Sequence, residues 1–310
     1  MQRILSPLPL PGIVSRRLDQ RFVELATPQG MNFDFASPAM EEALVPASSI
    51  SWQVFKNPVT VFVGGITAVV LELAEPQVRD GVWQHSSFRT AALPRTQRTG
   101  LAAMVTVYGA RSKAEAMISA VNRRHQTVTG TTREGQAYRA DDPVLLDWVQ
   151  ATASFGFLQA YHRYARPLSD NARNRFLAEG KNAAALYGAH NAPASLEEMD
   201  RLFETMRPRL RRSDVVFEFL DMIADVPILS PTLRPFQKLL TRAATSLLPQ
   251  WVHTHLGLDD NHQLSRAQFA IVQSLAFAAE RILLPSSPPV QACRRLSLPD
   301  DYLYRNAPAL

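Results

Sequence analysis

Apolar residues recur every three or four positions along most of the chain, while strict two-residue alternation is weak. The first spacing places side chains on one face of a helix; the second would mark a half-buried strand. The longest apolar run, residues 59–74, predicts a buried helix, with a strand over residues 59–63 as the alternative. Residues 96–108 predict a helix ended by Gly109, and a second starts near Ser112 and runs toward Gly130. Residues 131–139 are polar and loop-like; Asp141, Asp142 and Pro143 then supply a cap and a first-turn proline for a helix through Tyr164.

Ser169 caps a helix ending near Gly188, and Ser195 with Glu198 has capping-box spacing for one reaching Leu210. Further helices are predicted over residues 214–224, 232–247 and 265–284, the last opened by Ser265 and Gln268 and stopped by Pro285, Pro288 and Pro289. No repeat period emerges. The expected architecture is all-α: one large helical domain over residues 51–284, a Pro-rich extended N-terminal arm over 1–50, and a Pro-rich C-terminal tail over 285–310.

Composition narrows the function. The net charge is +5 and residues 207–212 form a basic cluster, but acidic residues are dispersed and no aromatics interleave the basic ones. A solvated helix end accounts for the cluster, and nucleic-acid binding is not expected. Cys293 is the only cysteine, which excludes an intramolecular disulfide or thiolate cluster and fits a reducing cytoplasm. The N-terminus has no apolar core of signal-peptide length. The run over 59–74 is shorter than the ~20 residues a spanning helix requires and contains Gly64, Gly65 and Glu72, so no transmembrane segment is expected. GxGxxG, GxxxxGK, GxSxG and HExxH patterns are all missing, which removes support for nucleotide-binding, α/β-hydrolase and zincin chemistry.

Chemistry therefore rests on polar groups placed on apolar faces. Ala114, Met117, Ile118, Val121 and Val128 mark one stripe, and His125 falls on it. An unpaired polar group costs ~1–3 kcal/mol to bury, so His125 must meet a hydrogen-bond partner or a metal; with no second histidine at i+4, periodicity alone favours a hydrogen-bonded core histidine. Arg95 and Thr99 lie one helical turn apart beside Arg98; each arginine is either solvated or directed inward toward an anion. In the helix beginning near Asp142, Trp148, Thr152 and Phe155 face the core, Thr152 adding a hydroxyl to an apolar wall. Glu179, flanked by Phe176, Ala183 and Leu186, turns a carboxylate inward or sits at an exposed edge.

The order of the segments EPQVRDGVWQHSSF, PRTQRT, VYG and VNRRHQTVTG, followed by YRADDPVLLDWVQATASFGFLQAY and RFLAEGKNAAALYG, resembles the MpaB-type and latex-clearing (rubber) oxygenases over residues 52–258. The resemblance implies a helical fold with a globin-like core and a b-type haem whose proximal ligand matches His125. It also implies Arg95 and Thr99 as the family's Arg-x-x-x-Thr element near the haem, with Arg98 as the intervening basic residue at the cofactor. The expected partners are dioxygen and an apolar, lipid-like or isoprenoid substrate, in a chamber lined by Trp148, Thr152, Phe155 and Glu179. Two positions depart from the family pattern: Glu75 stands where histidine is common, and Arg79–Asp80 replaces a small-residue pair. Those departures motivate an alternative, a cofactor-free helical protein that binds an apolar ligand.

Overall fold

A computed structural model describes residues 6–28, 30–226 and 234–305. The chain is all-α apart from one small hairpin. The helices are α1 (Gly12–Ala26), α2 (Ile50–Val54), α3 (Pro58–Ala74), α4 (Pro76–His85), α5 (Ala92–Tyr108), α6 (Arg111–His125), α7 (Pro143–Ala160), α8 (Asp170–Leu186), α9 (Leu196–Met206) and α10 (Asp214–Asp225). There follow α11 (Arg234–Thr245), α12 (Gln250–Leu256), α13 (Arg266–Ala279), α14 (Pro288–Arg295) and α15 (Tyr302–Arg305). Strands β1 (Thr129–Thr131) and β2 (Ala137–Arg139) form an antiparallel hairpin, pairing Gly130 with Tyr138.

Local chemistry explains where these helices start. Asn57 accepts from the amides of Val59 and Thr60 ahead of Pro58, and Asp142 accepts from those of Val144 and Leu145 ahead of Pro143. Each satisfies helix donors that have no intrahelical partner, while proline occupies the position where a missing N–H costs nothing. The Ser265–Gln268 capping box is complete, each side chain bonding the other's backbone amide. At Ser195 only half of the box forms: Glu198 N–H donates to Ser195 Oγ, but the Glu198 carboxylate accepts from Ala194.

Helix α3 lies at the centre, with Val63, Val70, Leu71, Leu73 and Ala74 fully enclosed. It packs antiparallel on α7 through a glycine crossing. A Cβ placed on Gly64 would sit 2.7 Å from the Gly156 carbonyl oxygen, and one on Gly156 only 2.2 Å from that of Gly64. Bare backbone on both sides lets the two axes approach more closely than side chains allow. On its other side Thr67 donates to the Ala244 carbonyl of α11 at 2.9 Å. α3 and α4 meet at 109°, the break falling between Glu75 and Pro76. No single helix among the described residues is long and apolar enough to cross a membrane.

Four expectations change. The N-terminal arm is not extended throughout, because it carries α1, and Ala43, Leu44 and Val45 enter the core. The tail continues the packing: Val290, Ala292, Cys293 and Leu303 are buried, and Gln53 donates to the Leu303 carbonyl. Residues 131–139 are the greater part of the hairpin, which has too few residues for alternation to register. The predicted start of the helix at residue 232 lies outside the described residues; within them it runs Arg234–Thr245. α7 does not reach Tyr164 as a regular helix, since a π-helical turn, Tyr161–Ala165, succeeds it.

Candidate active site

His125 is the last residue of α6, immediately before the hairpin, on the stripe it shares with Met117 and Val121. Its ring is half-buried, and Nδ1 is sealed from solvent with no hydrogen-bond partner among the described residues. Burial lowers its pKa below the usual imidazole value, and the nearby Arg95 charge lowers it further, outweighing Asp141. The ring is accordingly neutral at pH 7, with a free lone pair.

Arg95 projects from α5 toward the same region. Its guanidinium donates to Thr99 Oγ1 one turn along and lies 5.1 Å from the Phe88 ring centroid. Desolvation lowers the Arg95 pKa, Glu72 opposing that shift and Arg98 adding to it, yet an arginine stays charged at any working pH. Arg98 points elsewhere: it is exposed and donates to Ser87 Oγ at 3.0 Å. The structure thus brings Arg95 and Thr99 to His125 and leaves Arg98 at the rim.

The sequence reading did not single out Glu72 as a site residue. It stands on α3, within reach of the Thr152 hydroxyl at 3.5 Å, and its carboxyl pKa is raised to about 7. Desolvation is the main cause, with the Arg95 charge and the Thr152 bond opposing it. A lone carboxylate in an otherwise apolar helix was the available signal. Periodicity could place it on the Phe62–Gly65–Val69 face but could not name Arg95 and Thr152 as its neighbours.

Arg95 lies close enough for its charge to act on both Glu72 and His125. α5 rests on α6, and α3 on α7, but neither α5 nor α6 makes extended backbone contact with α3 or α7. Helices in direct contact pack ~8–10 Å apart, so the two pairs stand farther apart than that. We take the slot to be marked by the incompletely buried stripes of these helices: Phe62, Gly65, Val69 and Glu72 on α3; Arg95, Thr99, Ala102 and Thr106 on α5; Met117, Val121 and His125 on α6; and Val149, Ala153 and Phe157 on α7. All are partly buried except Thr99, which is exposed. Glu72 is surrounded by protein yet still accessible, as expected for a group lining an internal slot. The slot is apolar for most of its length, with one imidazole, one guanidinium and one protonatable carboxyl at one end.

The remaining predicted residues lie elsewhere. Trp148 and Phe155 are on the opposite face of α7, both in ring contact with Phe203 of α9, at 5.1 and 4.9 Å between centroids. Thr152 lies between the two faces and donates to the Val149 carbonyl. Glu179 lines no pocket: its carboxylate accepts from the amides of Ile50 and Ser51 and from the Ser51 hydroxyl, capping α2. Its capacity is spent on orphan helix donors.

The two departures are structural as well. Glu75 caps α4 by accepting from Val78 N–H at 2.8 Å and pairs with Arg209 at 2.8 Å. Arg79 pairs with Asp80 and Glu134, Asp80 accepts from Arg133 N–H, and Gln77 donates to the Ala137 carbonyl. These bonds fasten the hairpin that follows His125 onto α4. Gly130 has no side chain because the Tyr138 hydroxyl passes 2.4 Å from where its Cβ would be. That hydroxyl donates to Gln84 Oε1 and lies 3.1 Å from His85 Nε2.

No curated protein and no solved structure shows significant similarity to the chain. A family model described as ER-bound oxygenase mpaB/B'/rubber oxygenase, catalytic domain, matches residues 52–280. That span runs from α2 to the end of α13 and includes the whole slot, so the chain belongs to the mpaB/rubber-oxygenase catalytic-domain family.

Proposed function

We propose that this protein is a haem-b-dependent oxygenase acting on an apolar, lipid-like or isoprenoid substrate. The observation that carries the reading is the His125 imidazole, neutral, half-buried and unbonded, at the edge of an apolar slot in an oxygenase-family domain. Among the described residues no three His, Cys, Asp or Glu side chains converge to hold a metal ion. A single imidazole suffices where a porphyrin supplies the other nitrogen ligands, and a neutral, unbonded imidazole with a guanidinium nearby suits that group's iron and its carboxylates. The residues present therefore fit the group.

In this reading His125 is the protein's ligand to the iron, and Arg95 is the cation available to a propionate or to the oxygen side. When bound, the haem supplies the capacity to activate dioxygen, which no side chain here has. The protein binds and orients. Phe62, Val69, Met117, Val121 and Val149 exclude water and receive an apolar substrate. Glu72, balanced between its acid and base forms near neutrality, holds or releases a proton at its carboxyl oxygens. Glu75 and Arg79–Asp80, which had motivated a cofactor-free binding protein, are occupied with α4 and the hairpin rather than with the slot. That second reading loses its motive.

The test is haem titration of the purified full chain. Saturation near one equivalent with a Soret band is expected; a chain that stays colourless and binds haem without saturation would refute the proposal.

Glu72 gives an independent expectation for the chain without haem. Its folded pKa is raised above the unfolded value, so the folded state holds the extra proton between about pH 4.5 and pH 7. Stability from this group is complete below the unfolded pKa and is lost as pH rises through the folded one. Glu72→Gln keeps the shape without the charge. It should match the parent in urea at pH 4 and exceed it by about 3 kcal/mol at pH 8; an equal difference at both pH values would refute the buried carboxyl.

A further inference from the structure

We infer that the cavity on the α9 and α12 side of α7, across that helix from the slot, is a binding site for a small organic cation of the alkylammonium class. It has a volume of about 360 Å³, and its aromatic walls are Phe155, Phe203 and Trp251. Ring faces carry partial negative charge and attract cations that shed water easily. Met199 and Pro249 add to the lining, as do Asp200 and Glu204, one turn apart on the same face of α9. The cavity thus offers aromatic surface with carboxylates beside it, which disfavours an anion and gives a neutral ligand no return for displacing water from the carboxylates.

The protein's own structure indicates which charge the wall takes. The Arg207 guanidinium lies 5.0 Å from the centroid of the Trp251 ring and 3.5 Å from the Glu204 carboxylate. Both partners of that ion pair are half-exposed, so the contact is weak and easily exchanged. Asp200 has no cation paired to it among the described residues, whereas Glu197, on the same helix, is paired with Arg201. The site is therefore half-satisfied: one carboxylate and one ring are served by Arg207, and a second carboxylate with the partly accessible Phe155 ring is left for an incoming cation, Phe203 being buried against Trp148 and Phe155. Nothing in this inference depends on haem at His125.

The experiment compares choline with its uncharged carbon isostere, 3,3-dimethylbutan-1-ol, by calorimetric titration of the full chain. Saturable binding of choline at millimolar concentration is expected, with none for the isostere. Trp251→Leu should weaken choline about fivefold or more, and the exposed pair Asp200→Asn/Glu204→Gln by at least as much. Arg207→Ala should tighten it, because the internal competitor is gone. His125→Ala should leave it unchanged, which separates this site from the slot. Equal binding of the two probes, no saturable choline binding, or an affinity indifferent to the Asp200/Glu204 pair would overturn the inference; that double variant lies on an exposed face, so loss of fold does not confuse the result.

Discussion

Alanine at position 125 is expected to lower haem affinity by on the order of a hundredfold or more and abolish the Soret band of the purified chain, with the helical circular dichroism unchanged. The two halves of this expectation have separate causes. The imidazole is the nitrogen ligand that the proposed function assigns to iron, so on that proposal its loss removes the protein's bond to the metal. Its contribution to the fold is small, because Nδ1 is buried without a partner and the ring makes no hydrogen bond to lose. Deleting an unsatisfied polar atom offsets the packing that goes with it, leaving a stability change of about 0.5 kcal/mol or less. Free imidazole should restore the spectrum in the alanine variant, since it can occupy the vacated volume. A structural role for His125 predicts no such rescue, and haem stoichiometry equal to the parent's would rule out ligation.

The second large effect concerns the glycine crossing. Gly156→Ala places a methyl group 2.2 Å from the Gly64 carbonyl oxygen and 3.1 Å from the Ala68 nitrogen. Overpacking in a core ordinarily costs ~1–3 kcal/mol because side chains shift to absorb it. Here the obstacle is the backbone of the central helix, which α7, α11 and α13 hold in place. A loss of about 3 kcal/mol or more is expected, read as a fall in Tm of roughly 5 °C by thermal denaturation. α3 and α7 form one wall of the slot, so haem titration of the same variant should also weaken. Gly180→Ala on α8 is the control: its added Cβ meets nothing within 4 Å, and the gain in helix propensity should stabilise by about 0.5–1 kcal/mol. Equal behaviour of the two variants would contradict the close crossing.

Together these results would define the relation between the site and its frame. The slot exists because α3 pairs with α7, and α5 with α6, more tightly than the two pairs meet each other. The hairpin and its Arg79–Asp80–Glu134 bonds fix the chain as it leaves His125. The Glu75 carboxylate is occupied by Arg209 and the Val78 amide.

By itself the amino-acid order determined the helices and the inward stripe. Capping residues, prolines and three-to-four spacing are local signals, and Asn57, Asp142, Ser169, Ser195 and Ser265 each accept from helix amides where that chemistry places them. The same spacing put His125 in line with Met117 and Val121, and the ordered segments identified the family. Tertiary structure alone decided what each inward face meets. Period tells that a side chain leaves solvent, not which neighbour awaits it, because the neighbour comes from a distant helix whose rotation and distance depend on all the packing between. Glu72 therefore gained Arg95 and Thr152 from other helices, Glu179 became the cap of α2, and Trp148 and Phe155 turned to α9, away from the slot.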